Sequence, residues 1–91
     1  MAKLIARTYR VRGRVQGVGF RFFVKHQADN LGVRGFVRNE DDGSVFAYAV
    51  ADPSAIDEFS AALHRGPHLS EVRGVEVQEA EIKKLSSFLI D

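Results

Sequence analysis

One run in this chain combines residue types and spacing that could bind an oxyanion: Gly13-Arg14-Val15-Gln16-Gly17-Val18-Gly19-Phe20-Arg21. The run leaves an alternating, strand-like stretch, crosses three glycines and enters an amphipathic stretch at Phe20. Glycine lets a backbone turn tightly and bring its N–H groups against a ligand. A helix start adds positive partial charge at the same place. Successive N–H groups of Val15, Gln16, Gly17, Val18, Gly19 and Phe20 can therefore close on a small tetrahedral anion. Arg21 strengthens that reading. An arginine in a helix's first turn opposes the dipole by a few tenths of a kcal/mol up to ~1. Its planar fork suits phosphate or carboxylate. The plain alternatives are a tight strand-to-helix turn and a solvated arginine on a polar helix face.

Asn39 is the second candidate. It precedes the turn signal Asp41-Asp42-Gly43 at the end of a predicted strand. An asparagine there can bond its own turn backbone. In a split βαβ layout that brings the loops near one edge, it could instead hold a water by donating and accepting at once, without the charge that would repel a phosphate dianion. Other chemistries lack their residues. The Walker pattern needs a lysine after its last glycine, and the dinucleotide fingerprint needs a glycine where Phe22 stands. With no cysteine, disulfides, thiolate metal sites and cysteine nucleophiles are excluded. His26, His64 and His68 show no metal-ligand spacing and read as surface or loop positions. Ser44 and Ser70 have no evident base partner, and no carboxylate pair is placed near the glycine run. Neither a metal nor a cofactor is called for.

The elements that must position these residues follow from periodicity. Leu4 to Arg14 alternates, with Tyr9, Val11 and Gly13 on one side and Thr8, Arg10 and Arg12 on the other, which predicts a strand. Phe20, Phe23, Val24, Gln27, Ala28 and Leu31 recur at helical spacing, and Asn30 and Gly32 end that helix. Val33 to Asn39 and Ser44 to Ala51 read as strands joined by the Asp41-Asp42-Gly43 hairpin. Asp52-Pro53 opens a second helix. Ile56, Phe59, Ala62 and Leu63 form its apolar stripe, and Gly66-Pro67 stops it. Val72 to Ile82 alternates again, and Ser86 to Ile90 could add a short final strand. The order βαββαβ predicts an α+β fold, a ferredoxin-like two-layer sandwich with two helices on one face of a mainly antiparallel sheet.

The 91 residues, 45 % of them apolar, predict a single domain over 1–91. The net charge of +1 sets no global basic field for nucleic acid. Positive charge is nevertheless local. Arg7, Arg10, Arg12, Arg14, Arg21, Arg34 and Arg38 precede residue 40, while Glu71, Glu76, Glu79 and Glu81 lie late. That asymmetry fits an anion bound by the N-terminal half, although most of these arginines are better read as solvated strand faces. No stretch approaches the ~20 apolar residues of a membrane span. The stretch MAKLIARTYR has no signal-peptide core, so a cytoplasmic protein is expected.

On these residues the chain resembles the acylphosphatases. The run Gly13 to Arg21 matches the family's first signature throughout. Gly35-Phe36-Val37-Arg38-Asn39 followed by Gly43-Ser44-Val45 matches its second. Gly66-Pro67 and Ser70-x-Val72 fit its later segment. The chain departs from the family at Ala51, where a glycine is usual, and at its terminal Phe88-Leu89-Ile90-Asp91. The resemblance implies hydrolysis of a carboxyl-phosphate mixed anhydride to carboxylate and inorganic phosphate, without metal. It implies that Arg21 and the Val15–Phe20 amides bind the phosphoryl group and that Asn39 orients the attacking water. The expected partner is a small acyl phosphate, or inorganic phosphate in the loop, with no nucleic acid and no membrane. Monomer and dimer both stay open.

Other readings compete. RNA-recognition domains share the βαββαβ order, and Phe46 and Tyr48 on the third strand could stack bases. The chain could also be an inactive regulatory domain, or resemble the acylphosphatase-like part of larger carbamoyl-transfer proteins. Finally, if Val45, Ala47 and Ala49 face the helices, then Phe46, Tyr48 and Val50 face away and could form a partner surface.

Overall fold

The computed structural model describes residues 3–91. Met1 and Ala2, the start of the stretch read for a signal peptide, lie outside the described residues. The elements run β1 (Ile5–Arg14), α1 (Phe20–Leu31), β2 (Arg34–Asn39), β3 (Val45–Ala51), α2 (Pro53–Arg65), β4 (Glu71–Glu79) and β5 (Phe88–Ile90). The strands form one sheet in the order β4-β1-β3-β2-β5. Every pairing is antiparallel except β2 with β5. The expected α+β sandwich is therefore the fold, extended by β5 at the far edge.

Alternation decides the two faces of the sheet. Tyr9 pairs with Ala47, Val11 with Val45 and Val37 with Ala47, and all of these are buried in the main core. Phe20, Val24 and Ala28 reach that core from α1, and Ile56, Phe59 and Leu63 from α2. Each fully buried Val, Ile, Leu or Phe contributes about 1.5–3 kcal/mol of burial free energy, so these stripes hold both helices on one face. Tyr9 and Phe59 meet edge-to-face with centroids 5.5 Å apart, and the Tyr9 hydroxyl bonds Ser60 Oγ at 2.7 Å. Burial pushes the Tyr9 phenol above its ordinary pKa.

Local signals set the helix ends. Asp52 caps α2 by accepting from the Ala55 amide at 2.9 Å, with Pro53 at the first helical position. The Gly32 amide closes α1 on the Ala28 carbonyl. In the β2–β3 hairpin, Asp42 Oδ1 accepts from the Ser44 amide at 3.0 Å and from the Ser44 hydroxyl at 2.6 Å.

Two expectations need correction. The late alternation does not continue to Ile82: β4 ends at Glu79. It lies at one sheet edge and β5 at the other, so residues 80–87 must cross the face that the helices leave free. Tyr48 anchors this crossing, donating its hydroxyl to the Glu81 carbonyl and accepting from the Lys83 amide at 2.8 Å. As a result, Phe46, Tyr48 and Val50 do face away from the helices, but they form no open patch. Tyr48 and Val50 are buried with Ala6, and Phe36, Phe46, Ala80 and Leu85 pack around them. Arg38 also lies over the rings of Phe46 and Phe36, at 4.7 and 5.5 Å from their centroids. Tyr48 is thus closed to base stacking, and the reason for expecting a partner surface there is gone.

Candidate active site

The strand β1 delivers the chain to the loop of residues 15–19, and α1 carries it away. Gly17 and Gly19 take the left-handed conformation, with φ of 73° and 77°, which L side chains rarely adopt. A Cβ at either position would meet nothing within 4 Å, so the glycines leave open space beside the loop. Outside helices and strands, the described residues hold no backbone hydrogen bond donated by the amides of Gln16, Gly17, Val18 or Gly19. The first turn of α1 contains no acid, and Gly19 supplies no side-chain cap. The loop thus presents unspent donors where the helix adds positive partial charge.

A depression of about 110 Å³ lies against this loop, lined by Val15, Gly17, Gly19, Phe20, Arg21, Phe22 and Asn39. The structure therefore brings Arg21, from the first turn of α1, together with Asn39, from the end of β2. The Asn39 side chain is exposed and makes no hydrogen bond to another described residue. It is not consumed by its own turn, as the simpler reading of an asparagine there would have it. Arg21 is half-buried, and its Nη1 donates to the main-chain oxygen of Asp91 at 3.1 Å.

Most other N-terminal arginines are ordinary ion-pair partners. Arg7 meets Asp57, Arg12 meets Asp42 and Glu76, and Glu40 lies between Arg10 and Arg38. Arg21 pairs with no carboxylate side chain among the described residues. Within the charge asymmetry of the sequence, it is this arginine that faces the depression. The hairpin acids are engaged elsewhere. Donation from the Ser44 hydroxyl and amide holds the Asp42 carboxyl down to about 2, a value unsuited to taking a proton near neutrality.

Two of the predicted loop residues do not line the depression. Val18 packs against the core. The Gln16 side chain reaches the hairpin, donating to the Glu40 carbonyl at 2.8 Å and the Ser44 carbonyl at 2.9 Å. Phe22, by contrast, was not among the sequence candidates, yet it stands 70 % exposed at the edge of the site. The available signal is an aromatic that falls outside the apolar stripe in the first turn of the predicted helix. His26, His64 and His68 are exposed, as surface positions should be. Among the described residues, no three His, Cys, Asp or Glu cluster as metal ligands would, and no helix is long and apolar enough to cross a membrane. A larger groove of about 630 Å³, lined by Leu4, Arg34, Val50, Ile82, Lys83 and Leu85 among others, contains neither Arg21 nor Asn39.

Known proteins share this fold. The acylphosphatase family model matches residues 7–90. The chain is 53 % identical to an acylphosphatase of Solibacter usitatus over 85 residues, covering 93 % of this chain and 88 % of that one. It is 48 % identical to an acylphosphatase of Archaeoglobus fulgidus, again over 85 residues, covering 93 % and 96 % of the two chains. The crystal structure of acylphosphatase from Bacillus subtilis superposes with a TM-score of 0.93 at 36 % identity, covering 96 % of this chain and 98 % of that one. Such similarity extends through both helices and the whole sheet, well beyond the glycine-rich loop. The chain belongs to the acylphosphatase family and is a hydrolase of acyl phosphates.

Proposed function

We propose that Arg21 and the amides of Val15 to Phe20 hold the phosphoryl group and that Asn39 orients the water that attacks it. The observation that carries this reading is the shared depression, in which Arg21, Gly17, Gly19 and Asn39 meet. Water oxygen forms a bond to phosphorus as the bond from phosphorus to the acyl oxygen breaks. The electron pair of that bond leaves with the carboxylate, and the proton released by the water ends on phosphate. Because the leaving group's conjugate acid has a pKa of about 4, it departs without a proton and needs no general acid. The transition state is loose, with charge on the equatorial oxygens. A guanidinium and fixed amide dipoles stabilise that charge without reorganising.

No general base is assigned. Glu40 is ion-paired on both sides, and Asp42 is too weak a base. A substrate oxygen that takes the proton late completes the step. The enzyme is read as cytoplasmic, acting without metal on a diffusible acyl phosphate. The test is phosphate release from acetyl phosphate with and without excess chelator. Equal rates are expected, and a rate abolished by chelator and restored by a divalent cation would contradict the reading.

A further inference from the structure

We infer that the side chain of Gln16 is a positioning residue that locks the anion-binding loop to the hairpin carrying Asn39. Its Nε2 donates to the carbonyls of both Glu40 and Ser44, at 2.8 and 2.9 Å. A primary amide has two N–H donors, and both are spent on this one hairpin. Glu40 directly follows Asn39, so one of the two bonds holds the Glu40–Asp41 peptide, one residue beyond the water-holding Asn39. The Gln16 side chain does not line the depression and acts on the reaction only through Asn39, apart from the part its backbone amide plays in the loop.

The hairpin does not need Gln16 to keep its own shape. The Glu40 amide donates to the Ser44 carbonyl at 2.9 Å, and the Gly43 amide to the Glu40 carbonyl at 3.1 Å. Each carbonyl that receives Gln16 therefore already has a donor from within the turn. Asp42 adds its bonds to Ser44. What Gln16 supplies is the link between two loops 24 and 28 residues apart in sequence. The phosphoryl group sits on the loop side of that link and the attacking water on the hairpin side. A small relative shift would take the water off the line of attack while leaving the anion cradle whole. Misplacements on the order of 1 Å can cost up to roughly 10²-fold in rate.

The inference rests on the assignment of Asn39 above, and a double-mutant cycle separates the two. Turnover of acetyl phosphate and inhibition by inorganic phosphate are measured for wild type, Gln16→Met, Asn39→Ala and the double variant. Methionine keeps the length and removes the donors. Gln16→Met is expected to lower kcat roughly tenfold with the phosphate inhibition constant within about twofold. In the Asn39→Ala background the same change should lower kcat less than about twofold, because there is no longer an oriented water to misplace. Gln16→Asn, one methylene too short to reach both carbonyls, should repeat the kcat loss. An undiminished kcat in Gln16→Met, a parallel rise in the phosphate inhibition constant, or the full loss persisting beside Asn39→Ala would overturn the inference. Asn39→Ala turning over at the wild-type rate would instead remove the assignment beneath it.

Discussion

The Arg21 guanidinium donates to the main-chain oxygen of Asp91, and the Asp91 amide in turn donates to the Val37 carbonyl at 2.9 Å. Val37 lies on β2, the strand that ends in Asn39. The residue after β5 therefore ties the Arg21 side chain to the strand that presents Asn39. A guanidinium can bond Asp91 with one nitrogen and still offer others to a phosphoryl group, whereas an ammonium carries all its donors on one nitrogen. Arg21→Lys is thus expected to keep the charge and lose the geometry. Steady-state kinetics with acetyl phosphate should show kcat falling by about 10²–10³-fold, the range for losing a fixed oxyanion donor.

For Asn39 the expectation is a split between turnover and binding. Asn39→Ala should lose about 10²-fold in kcat while inorganic phosphate still inhibits normally, because the proposed cradle is built from residues 15–21 and not from Asn39. Asn39→Asp should weaken phosphate inhibition as well, since it sets a carboxylate against a dianion. Inhibition constants for the two variants, measured side by side, check this.

An acyl phosphate held in the depression is expected to bring its acyl group against Phe22. Its side chain is 70 % exposed and lines the depression beside Arg21. Phe22→Ala should raise KM for benzoyl phosphate about three- to tenfold, a loss on the scale of one aromatic contact, and leave KM for acetyl phosphate nearly unchanged. Stability should move by no more than about 0.5 kcal/mol, as at other surface positions.

Acid sensitivity should follow Asp42. Its folded-state pKa is lowered to about 2 from 3.8, so the native state favours the ionised form. The stability linked to this group is present above the ordinary carboxylate pKa and is lost as pH falls from near 4 toward 2. Ser44→Ala removes the hydroxyl donor, the largest cause of the shift. NMR titration of that variant should find the Asp42 pKa raised toward its ordinary value, and the acid-induced loss of structure should begin at higher pH.

The parts of this molecule that were legible in the sequence are those decided locally. The alternation of Tyr9 and Val11, the apolar stripe of Ile56, Phe59, Ala62 and Leu63, and the Asp52-Pro53 helix start all describe neighbours along the chain. So does the loop that presents Arg21. Asn39 stands out through its position before a turn, and its meeting with Arg21, 18 residues away in sequence, is legible only through the βαββαβ topology and the family signature, not through anything local. The sequence marks Gln16 for its backbone alone, because its side-chain partners, Glu40 and Ser44, are brought close only by sheet pairing. The segment crossing the open face was invisible for a related reason. Nothing local places β4 and β5 at opposite edges of the sheet, and that placement is what covers Tyr48 and Val50.

Arg21→Ala tests the central claim most directly, through phosphate inhibition and acetyl phosphate turnover measured on the same folded protein. Both should disappear together, with kcat down by at least about 10³-fold, the scale of removing an arginine from a phosphoryl transition state. Inorganic phosphate that still inhibits the residual activity of this variant at its wild-type inhibition constant would contradict the account.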